Sequence, residues 1–253
     1  MTNKLKYFIG NWKMFGDLNS FKIVNTINHF SVTLKKSKKK IKIVLCPPNT
    51  LIHSFNKKLK HKTISLGAQN CHYQEKYGAH TGSVTASMLK KIGAEYIILG
   101  HSENRSEGEA NKTIKQKINS ALNQNLNVIF CIGEKLNEKK NKRTFSVIKK
   151  QIKDSLDKKF NINKIILAYE PVWSIGTNIL PKKNDLRLTI KYIKKEYMKI
   201  FKSKKIPKVL YGGSVSPNNI DLFKSLDEID GFLIGGASQS SKKFIDIINN
   251  YYK

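Results

Sequence analysis

Acidic residues, arginines, cysteines and long apolar stretches are all scarce in this chain. No apolar run exceeds about five residues, far short of the roughly 20 a membrane-crossing helix needs, so no membrane span is expected. The opening residues, MTNKLKYFIGNWK, hold no extended apolar core of a secretory leader, and a cytoplasmic location is expected. Cysteine occurs three times, at Cys46, Cys71 and Cys131, and never as CxxC. That argues against a disulfide framework; Cys46 and Cys131 are expected to be buried thiols in strand-like runs. The six histidines show no HxxxH spacing, so no metal centre is expected. No GxGxxG follows the first apolar run, which lowers the case for dinucleotide binding.

The scarcity of acids leaves a formal charge of +29, from 47 Lys and Arg against 18 Asp and Glu. Only Arg105, Arg143 and Arg187 are arginines. Arginine is the side chain suited to bidentate reading of bases and phosphates. The lysines are spread over nearly every helical segment rather than gathered on one. Both facts favour a solvated surface over a nucleic-acid or membrane-binding face. The charge would still favour encounter with an anionic substrate.

Eight short apolar runs are present, at 7–12, 41–46, 63–69, 96–100, 127–132, 164–169, 208–211 and 231–234. Most are continuous rather than alternating, the pattern of parallel strands covered on both faces. Between them lie segments of helical period, notably 21–34, 110–122, 145–160 and 185–201. In the last, Leu188, Ile190, Ile193, Tyr197 and Ile200 are expected near one face. Strands alternating with helices imply right-handed βαβ units. Eight of them over 253 residues predict an α/β fold, one closed (β/α)8 barrel spanning 1–253 as a single domain. The lysine-rich stretches 35–40 and 202–205 read as solvated connections.

In such a barrel, chemistry gathers where strands run into the following helix. The first run ends on Asn11 and Lys13, the fourth on His101 and Glu103, and the sixth on Glu170. The seventh ends Gly212-Gly213-Ser214 and the eighth Gly235-Gly236. A carboxylate closing a buried strand is costly unless it is paired, hydrated or used. Glycine turns let backbone N–H groups approach an anion, and both turns lead toward a helix N-terminus. These features point to a phosphorylated small-molecule substrate.

The ordered set NWK, AQN, GHSENR, CIGE, AYEPVWSIGT, YGGSV and GFLIGGAS resembles the triosephosphate isomerase family over nearly the whole chain. The resemblance implies the TIM-barrel fold, a phosphorylated triose as substrate, no cofactor, no metal and a homodimer. It makes Glu170 the base, His101 the neutral electrophile and Lys13 the stabiliser of the enediolate. Asn11 would hydrogen-bond a substrate oxygen, and Glu103 would be the supporting acid. Gly176, Ser214, Gly235 and Gly236 would bind phosphate through backbone N–H groups. Pro171, Val172 and Trp173 would form the hinge of a lid; Ser174, Ile175 and Gly176 would be its tip and Thr177 its end. Thr81 and Gly82 would enter the partner subunit. Three positions depart from the family pattern: Asn178 where the lid usually ends in Gly, Asn104 for an Arg, and Ser83 for a Glu.

Overall fold

A computed structural model describes residues 4–35 and 39–253. Eight strands form one closed barrel in chain order: β1 Lys6–Asn11, β2 Ile41–Cys46, β3 Ser65–Ala68, β4 Tyr96–Leu99, β5 Asn127–Ile132, β6 Ile165–Tyr169, β7 Lys208–Tyr211 and β8 Gly231–Ile234. Every pairing is parallel, and β1 closes on β8 with Tyr7 opposite Gly231 and Gly10 opposite Ile234. Strands β2, β5, β7 and β8 carry the bounds expected from the sequence. The third is trimmed at both ends.

Alternate side chains explain why the strands read as continuous apolar runs. Ile9, Val44, Ile98, Ile129, Leu210 and Leu233 fill the barrel interior. Their neighbours Phe8, Ile43, Leu45, Ile97, Phe130 and Phe232 point outward into a second core beneath the helices. Both faces of each strand are therefore dry.

The helices are α1 Phe21–Lys35, α2 Asn49–Lys58, α3 Ala86–Lys91, α4 Ser102–Ser106, α5 Asn111–Asn123, α6 Leu136–Lys140, α7 Thr144–Ser155, α8 Lys183–Phe201 and α9 Ser241–Tyr252. In α8, Leu186, Ile190, Ile193 and Tyr197 are buried, whereas Leu188 is 58% exposed. The expectation for Leu188 was wrong: at 100° per residue it lies about 200° from Ile190, and Leu186 holds the inward position. Helix α7 stops at Ser155, where Leu156 turns extended, short of the expected end at 160. Lys202 caps α8 in a left-handed conformation, and 202–205 connects onward to β7. Of the stretch 35–40, positions 36–38 lie outside the described residues.

Below the barrel floor, buried Asp230 accepts from the Val209 N–H at 2.9 Å and pairs with Lys194 at 2.8 Å and Lys4 at 2.6 Å. Burial opposes its charge, but Lys194 and its hydrogen bonds outweigh that and hold the carboxyl below its ordinary value. All three cysteines are buried and free. Among the described residues no helix is long and apolar enough to cross a membrane.

Candidate active site

At the opposite end the strand termini converge on a cavity of about 410 Å³. Asn11 and Lys13 enter from β1, His101 from β4, Glu170 from β6, and Ser214, Gly235 and Gly236 from the turns after β7 and β8. Ile175, Gly176 and Asn178 reach it from the loop after β6.

Lys13 has φ 57°, a left-handed backbone uncommon for a residue with a Cβ. Its surroundings over-determine that geometry. The Lys13 N–H donates to Asn11 Oδ1 at 3.1 Å, and Gln69 Nε2 donates to the Lys13 carbonyl at 2.9 Å and to the Cys46 carbonyl at 2.8 Å. Gln239 Nε2 holds the Trp12 carbonyl at 2.8 Å. Strain sustained by this many contacts commonly marks a functional position.

Glu170 is 2% exposed. Its N–H donates to the Ile132 carbonyl at 2.8 Å, which fixes the backbone at the strand end. One carboxylate oxygen lies 3.2 Å from His101 Nε2, and the other accepts the Ser102 N–H at 3.4 Å. His101 is the N-cap of α4, with Nδ1 accepting the Glu103 N–H at 3.2 Å. An accepting Nδ1 leaves the ring proton on Nε2, aimed at Glu170. Burial pulls the His101 pKa down, but the Glu170 charge and hydrogen bond, with Glu103 behind, outweigh it and raise the value overall. The raising contributions depend chiefly on Glu170 being parked against the ring. Without the Glu170 charge, burial, Lys13 and the donor at Nδ1 would all favour the neutral imidazole.

Glu103 is 54% exposed at its side chain, with Oε1 2.5 Å from Lys13 Nζ and Oε2 3.5 Å from His101 Nδ1. It does not line the main cavity. It borders an adjoining depression with Met14, Gln69 and Asn104. Thr81 and Gly82 are exposed on the loop before α3, and neither lines the cavity.

The loop after β6 opens with a short 3₁₀ turn, Val172–Ser174. Trp173 donates its indole N–H to Glu134 at 2.9 Å, and Lys139 stands 3.3 Å over the indole ring. Burial raises the Glu134 pKa, opposed by bonds from Trp173 and Tyr169. Ser174 is fully buried, and so sits at the base of this loop rather than at its tip. Its hydroxyl donates to the Ile179 carbonyl at 2.5 Å and lies 3.1 Å from the Tyr211 hydroxyl. Gly176, at φ 70°, would meet nothing within 4 Å of an added Cβ and stands clear of the barrel. Asn178 adopts φ 60°, which asparagine tolerates better than most residues.

The glycine turns lead into short 3₁₀ segments, Ile220–Phe223 and Gly236–Gln239, not directly into α-helices as expected. The link from β7 to β8 is rich in turn residues, with Ser, Pro and Asn over 214–219, and forms the 3₁₀ segment in place of an α-helix. An anion at these turns would meet backbone N–H groups more than a helix dipole. Among the described residues no group of three or more His, Cys, Asp or Glu is placed to hold a metal.

A profile of the triosephosphate isomerase family matches residues 6–251. The chain belongs to that family. It is 41% identical to the triosephosphate isomerase of Dictyoglomus thermophilum over 97% of this chain and 99% of the relative. It is 38% identical to that of Borrelia garinii over 96% and 98%. A crystal structure of triosephosphate isomerase from Bartonella henselae superposes with a TM-score of 0.88 at 32% identity, covering 98% of this chain and 99% of that one.

Several supporting residues escaped the sequence reading. Gln69 and Glu134 stood inside the motifs AQN and CIGE without a role. Glu134, a carboxylate just past a buried strand, carried the same signal as Glu170. Gln239 and Tyr211 gave no signal, because their partners are set only when the barrel closes.

Proposed function

We propose that this protein interconverts dihydroxyacetone phosphate and D-glyceraldehyde 3-phosphate through an enediolate, in glycolysis and gluconeogenesis. The observation that carries the reading is the convergence of Glu170, His101, Lys13 and Asn11 on one cavity walled by the glycine turns. Glu170 takes the proton from the hydroxyl-bearing carbon of dihydroxyacetone phosphate. The C–H electron pair becomes the C=C bond, and the carbonyl pair moves onto oxygen. The Nε2–H of neutral His101 meets that oxygen, the Lys13 ammonium offsets its charge, and Asn11 donates to a substrate oxygen. His101 Nε2 gives its proton to that oxygen and takes the one from the neighbouring hydroxyl. Glu170 then returns its proton to the former carbonyl carbon, as the C=C pair forms the new C–H bond and the oxygen charge re-forms C=O on the other carbon. No electrons leave the substrate, so the reaction requires no redox cofactor.

Gly176, Ser214, Gly235 and Gly236 hold the phosphate through backbone N–H groups. Pro171, Val172 and Trp173 hinge a lid whose tip, from Ile175 to Thr177, covers the enediolate and excludes water. Glu103 positions Lys13 and His101 from outside the cavity. The protein works as a cytoplasmic homodimer, with Thr81 and Gly82 reaching the partner beside Lys13 and His101; the open depression there supports that reading.

The test is turnover of both triose phosphates by wild type beside Glu170→Gln. Removing one acid–base group is expected to lower kcat by about 10²- to 10⁴-fold. Equal activity in the two proteins would remove Glu170 as the base.

A further inference from the structure

The geometry points to Lys243 as a further binding determinant, a side-chain cation added to the backbone donors at the phosphate end of the cavity. This rests on the function proposed above and extends it. Lys243 lines the cavity, as do Ser216, Asn218 and Gly236, and it stands on a different element from Glu170 and His101. It belongs to the first turn of α9, which is fixed by Ser240, whose hydroxyl accepts the Lys243 N–H at 3.4 Å.

A cation in the first turn of a helix opposes the helix dipole, so the position is not favourable for the helix alone. Its neighbour Lys242 behaves as an ordinary surface lysine, paired with Asp246 at 2.9 Å. Among the described residues Lys243 has no ion-pair partner. Among the described lining residues Glu170 is the single carboxylate, and it is engaged by His101 and Ser102. The ammonium of Lys243 is therefore uncommitted, on a long flexible stem, next to a wall built to receive a dianion. It would attract the phosphate from solvent and hold it by charge, while the backbone N–H groups set its orientation.

The experiment is calorimetric titration of the whole protein with inorganic phosphate at low salt, with KM for glyceraldehyde 3-phosphate measured alongside. Lys243→Gln is expected to raise the phosphate Kd and the KM by about three- to five-fold, the scale of a solvent-exposed ion pair. Lys243→Arg should restore most of the affinity. Lys242→Gln should bind phosphate as wild type does. At about 1 M potassium chloride, where the screening length is about 3 Å, the difference between Lys243→Gln and wild type should collapse. An unchanged Kd in Lys243→Gln, or an equal loss in Lys242→Gln, would overturn the assignment. A wild type that binds phosphate but turns over no triose phosphate would defeat the proposed reaction, and the titration would still decide the role of Lys243.

Discussion

Replacing Gly212 by alanine would place a methyl carbon 2.8 Å from Glu170 Cγ and 3.4 Å from Oε1. Ordinary contact begins near 3.4 Å, so the Glu170 side chain must retreat by about 0.6 Å or more. It has little room, because the carboxylate is 2% exposed and flanked by His101 and Ser102. Gly212 does not sit at positive φ, so alanine adds no backbone strain. The perturbation falls chiefly on the position of Glu170. A misplacement near 1 Å lowers a rate by about 10²-fold, so a shift of this size should lower kcat by about 10-fold or more. Overpacking should also cost about 1–3 kcal/mol of stability. The assay is steady-state turnover of glyceraldehyde 3-phosphate, with urea unfolding in parallel. A Gly212→Ala protein that is folded and retains kcat within two-fold of wild type would refute the claim that this glycine sets the placement of Glu170.

Lys194→Met should destabilise the protein by about 3 kcal/mol in urea unfolding, because it strips the main cation from buried Asp230. The Asp230 carboxyl is held below its ordinary 3.8, so the unfolded chain takes up that proton first. Its stabilising contribution is present above about pH 4 and is lost as pH falls through the depressed folded value; the stability gap between wild type and Asp230→Asn should narrow over that window. Ser174→Ala removes the bonds that tie the start of the loop after β6 to Ile179 and Tyr211, and should speed proteolytic cutting near Gly176 about five-fold, the equivalent of about 1 kcal/mol. Asn178→Val forces a β-branched residue to φ 60°, with about 1–3 kcal/mol of strain; kcat/KM should fall several-fold, and Asn178→Gly should do less harm.

The barrel was legible because each strand is dry on both faces, so its apolar run survives in the sequence as a continuous block. Strand ends were legible for a related reason: Glu170 and His101 interrupt those blocks with groups that burial alone does not favour. Leu188 was misjudged because a run rich in Leu, Ile and Tyr offers more apolar residues than one helix face can take. Ser174 was placed at the lid tip by the family resemblance alone, and only its bonds to the Ile179 carbonyl and the Tyr211 hydroxyl show it to be an anchor. The grips on Lys13 were invisible because they join residues 56 and 227 positions apart along the chain.

Those grips also set the order in which competence can arise. Gln69 comes from just past the third strand and Gln239 from beyond the eighth, and together they hold the turn that carries Lys13. A chain still emerging from the ribosome would already contain His101 and Glu170 when residue 170 is made, yet lack the second clamp until residue 239 follows. If the proposed function holds, a complete site arrives only with ring closure. On that reading, a barrel ended before residue 239 should be silent rather than partly active.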